Sequence, residues 1–399
     1  MKCKWTKKTL RDVCVIEKIG HDRCGAFPYV GLEDIESSTG KHIGSLEAKV
    51  VQSNSFRFTR DHVLYGRLRP YLSKLIIPDF EGHCSTEIFP IRPRKMIDQK
   101  FLFYFFLMQE TVDKIDKTCT GARMPRANMN EVMDFPFSFP TLSEQKRIVA
   151  ILDEAFEGIA VAVANAEKNL ANARELFESY LNSVCSQKGE GWVDKTLHQV
   201  SQEFGRGKSK HRPRNDPKLY GGSYPFIQTG DVRNCDHIIL ESSQSYNETG
   251  LAQSKLWPKG TICITIAANI AETGILGFHA CFPDSIIGIV VDPKQTTNDF
   301  VEYLLQSVKA QLKAQGKGSA QDNINLATFE NRLFAFPSLD GQERLVATLN
   351  GLSDNVRAIE AVYKAKIGAL IQMKQSILQK AFAGELTAYP ERALQEALA

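Results

Sequence analysis

Between Ser143 and Gly189 the apolar residues fall on one stripe: Ile148, Leu152, Ala155, Ile159, Ala162 and Ala166, continued after a small slip by Leu170, Ala173, Phe177 and Leu181. Spacings of three and four predict a single amphipathic helix, with Ser143 as its N-cap, Gly189 as its stop and no proline inside it. The span is 189 − 143 = 46 positions. At the α-helical rise that is roughly 65–70 Å, far above the average for a globular protein. Such a stripe needs cover along its whole length. A second stripe in the same chain supplies it: Leu345, Leu349, Leu352, Val356, Ile359, Tyr363, Ile367, Leu370, Ile377 and Ala381. The second helix is expected to start at an Asp340 N-cap with Glu343 in the capping-box position, and to stop at Gly384.

The two helices are copies. Pro140 aligns with Pro337, and at that offset of 197 Gln145 meets Gln342, Arg147 meets Arg344, Val149 meets Val346, Ala150 meets Ala347, Leu152 meets Leu349 and Leu181 meets Leu378. The segments ahead of the helices repeat as well. Trp192 to Val200 matches Trp5 to Val13, and the strand-like run at 259–278 corresponds to Val63 to Ile77. The helical run at 298–312 corresponds to that at 99–115, and GKGSAQDNINLATF corresponds to TGARMPRANMNEVM, with Gly318 on Gly121 and Asn325 on Asn128. Short β-type runs mixed with helix predict an α+β fold for each copy. The expected order is domain 1–139, long helix 140–189, domain 190–336, long helix 337–386 and a tail at 387–399. Two copies with a pseudo-twofold and antiparallel helices are expected to place one domain at each end of a rod.

Charge adds a candidate surface. In the first copy basic residues lie in or beside loops: Arg57, Arg60, Arg67, Arg69, Arg92, Arg94 and Lys95, with Arg123 and Arg126 in the turn TGARMPRAN. The densest cluster is GRGKSKHRPRN in the second copy. There Arg206, Lys208, Lys210, Arg212 and Arg214 alternate with small or polar residues and no acid intervenes. Gly205, Gly207 and Pro213 predict an extended loop outside helix and sheet, with its cations free to reach phosphates. Lys317 is a further candidate in the repeat of the TGAR turn. If all five loop cations met phosphates, the log-log salt slope of binding would steepen by up to about 4.5.

Catalytic and metal signatures are missing. GRGKS lacks the glycine of a P-loop, because the position five before Gly207 is Gln202. The eight histidines show no HxxxH spacing, and neither an aminomethylation tetrad nor a GxGxxG after a strand is present. PDFEGH at Pro78 to His83 lacks the following lysine of a nuclease site and reads as a turn between strands. Nine cysteines are scattered without a CxxC pair, which argues for reduced thiols, against zinc and disulfides, and hence for a cytoplasmic protein. No run approaches the length of a membrane span. The net charge of +3 is only mildly basic, so any nucleic-acid surface must come from local clustering.

Two variable α+β domains, each followed by a long helix introduced by FP-x-L-x-x-Q-x-R, the Gly191-Trp192 lead-in and the segment Tyr224 to Val232 together resemble the specificity subunit of type I restriction-modification systems. The resemblance covers essentially the whole chain. It implies two target recognition domains, each reading half of a bipartite site in double-stranded DNA. It also implies helices that space the readers and dock two methyltransferase subunits, to which restriction subunits are added. No active site is expected here, and AdoMet, ATP and Mg are expected only in the partner subunits. Lys146, Arg147, Glu154 and Arg344 are outward positions on the helices and candidate partner contacts. A non-specific DNA-tethering scaffold, or a diverged nuclease, is the alternative; specific binding or metal-dependent cleavage separates them.

Overall fold

The computed structural model describes residues 5–20, 27–49, 51, 53–121, 123–186, 189–267, 271–315, 329 and 332–386. Lys317, Gly318, Asn325 and the tail 387–399 lie outside the described residues. The chain divides into two compact units, Met1–Glu167 with Lys364–Ala399, and Lys168–Tyr363.

In the first unit an antiparallel sheet runs in the order Cys14–Ile16, Ile88–Pro93, Val63–Gly66, Leu75–Ile76. Beside it Tyr29–Val30, Gly82–Ser85 and Ser55–Phe58 form a smaller sheet, and Thr6–Thr9 pairs with Pro136–Phe139. In the second unit the order is Ser201–Arg206, Ile286–Val291, Ile262–Thr265, Thr273–Leu276, with Ile238–Ile239 added in parallel at the far edge. The first four strands repeat the order of the first unit. Registers repeat too: Thr6 faces Phe139 as Val193 faces Phe336, and Val63 faces Ile91 as Ile262 faces Ile289. The duplication read from the helices therefore extends through the strands.

The helical run expected at 99–115 is broken in two, Gln99–Leu107 and Gln109–Asp116. Gln375 of the second long helix explains the break. Its side chain accepts from the Gln109 N–H at 3.0 Å and donates to the Leu107 carbonyl at 3.4 Å, so both groups freed at Met108 are satisfied. The ring-rich side of this run builds the core of the first unit, where Phe101 lies 4.7 Å from Phe382 and Phe105 4.8 Å from Phe137. The corresponding run in the second unit is one helix, Asn298–Gln315.

The long helices are Leu142–Ser186 and Leu339–Phe382. In the first unit Ile148 and Leu152 share a buried cluster with Leu378 and Ala381. In the second unit Leu181 is buried with Leu349, Asn169 donates to the Tyr363 hydroxyl at 3.1 Å, and Arg174 pairs with Glu360 at 2.6 Å. Early residues of one helix meet late residues of the other in each unit, so the pairing is antiparallel. Every expected stripe residue of the first helix is buried or half-buried, but Ile359 of the second is 42% exposed. Glu360 turns inward there instead, drawn by Arg174. The starts also differ from expectation. Ser143 lies inside the first turn, and Ser338, not Asp340, caps the second helix through a bond from the Gly341 N–H to its Oγ at 3.3 Å. Gly384 does end that helix: its φ is +75, and the Glu385 N–H reaches the Lys380 carbonyl at 2.9 Å in a Schellman closure.

The repeated glutamines fasten each helix to its own domain. Gln145 is fully buried; its Oε1 accepts from the Asp98 N–H at 2.8 Å, and its Nε2 donates to the carbonyls of Met96 at 3.0 Å and Pro140 at 2.9 Å. Gln342, equally buried, accepts from Thr296 Oγ1 at 2.7 Å and the Thr297 N–H at 3.3 Å and donates to Gln295 and Pro337. A second contact recurs in both units: Tyr104 donates to Asp153 at 2.5 Å, and Tyr303 to Asn350 at 2.6 Å.

Candidate nucleic-acid interface

The basic segment of the second unit is more ordered than a free loop. Gly205 and Arg206 belong to the edge strand Ser201–Arg206, facing Gly288 and Ile287, which corrects the expectation that they lie outside the sheet. Extended geometry continues past the strand. Arg206, Lys208 and Lys210 point to solvent while Gly207 and Ser209 are buried, the period of two that a pleated chain imposes. Gly207 is required, since a β-carbon there would stand 2.3 Å from the Phe282 carbonyl and 2.4 Å from that of Pro283. Ser254 donates to the Lys208 carbonyl at 2.7 Å, and the His211 N–H donates to Gln253 at 3.0 Å.

The five cations are not equivalent. Arg214 makes a two-pronged contact with Asp284 at 2.6 and 2.9 Å, and Arg212 lies 4.0 Å from the same carboxylate while donating to the carbonyls of Ser209 and His211. Their guanidiniums brace the turn. Arg206, Lys208 and Lys210 form no ion pair with any described residue and remain exposed, so the free charge of the segment is concentrated in these three.

The first unit shows the same division. Arg67 and Arg126 each donate from Nε to one oxygen of Glu87, both at 2.9 Å, which cancels part of their charge and joins two loops. Arg57 lies 3.7 Å from Glu81, and Arg92 bonds Glu17 and Asp61. Arg69 and Arg123 are exposed and unpaired among the described residues. The turn 120–126 closes through reciprocal bonds between Thr120 and Arg126, both 3.1 Å, with Arg123 and Met124 at its tip. Glu87 and Asp284 were not visible in the sequence as part of these surfaces, because each lies far along the chain from the arginines it holds.

On the long helices Lys146, Arg147, Glu154 and Arg344 are exposed, with Arg147 3.9 Å from Glu144. Val161, Leu176, Val362, Ile371 and Met373 of these helices are more than half exposed.

No grouping of His, Cys, Asp and Glu suited to a metal occurs among the described residues, and no helix there is long and apolar enough to cross a membrane. Burial pushes up the thiols of Cys14, to about 12, and of Cys84 and Cys263, so none is a ready nucleophile. The second unit has a cavity of about 260 Å³ whose wall includes His237, Glu272, Lys309 and Arg357. There His237 bonds Asp299 and Glu302, each at 2.9 Å, and Lys309 pairs with Glu272. Burial opposes the imidazolium, but the two carboxylates outweigh it and raise the ring to about 10. This group holds elements together; its donors are consumed by one another.

The duplicated chain matches a known family. The profile described as the type I restriction modification DNA specificity domain covers residues 2–169 and again 189–368. The chain belongs to this family. Among relatives, the specificity subunit of the type I restriction enzyme EcoDI of Escherichia coli is 30% identical over 149 residues, 37% of this chain and 33% of that protein. The EcoKI specificity subunit of Escherichia coli K12 is 23% identical over 75% of this chain and 68% of its own length. The putative MjaX subunit of Methanocaldococcus jannaschii is 21% identical over 91% of each. A solved chain from work on assembly and conformational transition of the type I R-M system superposes with a TM-score of 0.79 at 21% identity, covering 96% of this chain and all of that one. The HsdS subunit of Thermoanaerobacter tengcongensis gives 0.54 at 21% identity, over 96% of this chain and 97% of its own. The two-domain fold with long helices is thus that of specificity subunits.

Proposed function

We propose that this chain is the DNA specificity subunit of a type I restriction-modification complex, with domains 1–139 and 190–336 each reading one half of a bipartite site in double-stranded DNA. The observation that carries the reading is the duplication itself: the same strand order and the same buried glutamine latch occur twice in a chain matched twice by a DNA specificity profile. A discontinuous site needs two readers at fixed separation, and stiff paired helices supply a spacer as dimer symmetry does for half-sites elsewhere. Exposed Arg206, Lys208 and Lys210 in one domain, and Arg123 in the other, set the protein on phosphates, while other polar and charged side chains read base edges. Lys317 joins them as a sequence-based candidate.

Two methyltransferase subunits dock on the long helices, where Lys146, Arg147, Arg344 and the exposed apolar residues Val161, Leu176 and Val362 offer contacts, and restriction subunits join that assembly. The partners supply AdoMet, ATP and Mg, and flip the target adenine out of the duplex. This chain chooses where. The subunit works in the cytoplasm with its DNA.

The test is DNA binding by the complex with Arg206→Ala and Lys208→Ala together. Loss of two phosphate contacts should flatten the salt slope by about 1.8 and weaken cognate and scrambled duplexes alike. An unchanged slope removes the basic segment from the interface, and equal affinity of the unmutated complex for cognate and scrambled DNA would reduce the protein to a scaffold.

A further inference from the structure

We propose that Arg69 reads a base edge in the first half-site, a guanine in the major groove, instead of neutralising a phosphate; this rests on the DNA-reading role argued above. The inference begins with the backbone. Arg69 sits at φ 51 and ψ 63, in the left-handed region that residues with a β-carbon avoid, and Ser73 at φ 47 closes the same short turn, Pro70–Leu72. Left-handed residues that are neither glycine nor asparagine persist only where their surroundings enforce them.

Here the enforcement is complete. The Arg69 N–H donates to the Pro125 carbonyl at 2.8 Å, and its own carbonyl accepts from the Leu72 N–H at 2.9 Å. Arg67, two residues earlier, is held by the Ala127 N–H on its carbonyl at 2.9 Å, and Arg67 and Arg126 are locked to Glu87 on either side. Pro70 is buried and fixes the next φ. Arg69 is therefore the free member of a braced set: its backbone is fixed on both sides and its side chain is exposed, with no acid among residues 67–73 or 120–126 to take it.

Phosphate attraction needs no such bracing, because a mobile cation serves a diffuse charge about as well. A planar fork aimed at the paired acceptors O6 and N7 of guanine does need it. The neighbours fit a base-facing edge: Tyr71 is 53% exposed and Met124 46% exposed, apolar surface at the place where a purely electrostatic contact would have none. The bond that closes this segment recurs. In the second unit Thr265 N–H bonds the Glu272 carbonyl at 2.9 Å, as Gly66 N–H bonds that of Lys74 at 2.8 Å, and Ala271 takes φ 60 in the place of Ser73. What the first unit adds is the arginine.

The experiment compares the wild-type complex with Arg69→Ala and Arg69→Gly, each expressed with the methyltransferase partner, by methylome sequencing, by binding to duplexes varied one base pair at a time, and by thermal melting. One guanine position of one half-site should lose its discrimination by about tenfold or more, with every other position and the second half-site unchanged. Arg69→Gly should melt no lower than wild type, since glycine occupies φ 51 without strain, so a loss of reading cannot be blamed on folding. The inference is overturned if all positions keep their discrimination while affinity falls uniformly and the salt slope drops by about one, the mark of a phosphate contact. It is overturned equally if Arg69→Gly unfolds early. Failure of the wild-type complex to methylate any bipartite motif would defeat the underlying reading as well, and is recognised by its appearance without any substitution.

Discussion

Gln145→Ala probes what ties a long helix to its domain. The substitution removes three bonds from a fully buried side chain and leaves the Asp98 N–H and the carbonyls of Met96 and Pro140 without partners. A net hydrogen bond contributes about 1 kcal/mol and an orphaned buried group costs about 1–3, so the expected loss is about 2–4 kcal/mol after partial rescue by water. Gln145→Glu should cost at least as much, because an ionised carboxylate cannot donate to the two carbonyls and brings charge into a buried site. Equilibrium urea unfolding followed by helical circular dichroism measures both, with exposed Lys146→Ala as the control expected within about 0.5 kcal/mol of wild type. Gln342→Ala should show a loss of similar size, as the same latch recurs there. A Gln145→Ala loss no larger than the control's would refute the latch.

Other expectations follow from the same contacts. Because His237 is raised to about 10 in the fold from 6.5, its contribution to stability is present in full below about pH 6.5 and lost as pH rises through 10. The bond from His237 holds Asp299 below the usual carboxylate range, so that contribution is lost on acidification instead. His237→Asn should therefore flatten the decline in melting temperature between pH 7 and 10, and an unaltered profile would contradict the assignment. Glu87→Gln frees Arg67 and Arg126; non-specific DNA affinity should rise and its salt slope steepen by up to about 1.8, read by fluorescence anisotropy. Gly207→Ala forces a β-carbon into the carbonyls of Phe282 and Pro283, with an expected cost of about 1–3 kcal/mol and weaker DNA binding.

The helices were legible because their spacing is local and needs nothing beyond neighbours three and four positions apart. The glutamine pair was legible as a repeat, but its task was not: Gln145 bonds backbone 47 and 49 positions away. The cation surfaces were half legible. A charge run shows where arginines are dense, yet Glu87 reaches Arg126 across 39 positions and Asp284 reaches Arg214 across 70, so which charges are spent is a property of the fold. The strand that carries Arg206 was missed for a related reason. Glycines that break isolated strands are tolerated where Gly205 faces Gly288 in a ladder. Ile359 failed the stripe because one ion pair, Arg174 with Glu360, redirects that turn of the helix.

The most direct test is the methylome of a host carrying this chain and its methyltransferase partner, alongside one in which domain 190–336 is exchanged for that of another specificity subunit. The account predicts adenine methylation in one bipartite motif, and after exchange a motif with one half replaced and the other retained. Methylation that persists without this chain, or an exchange that alters both halves or neither, would contradict it.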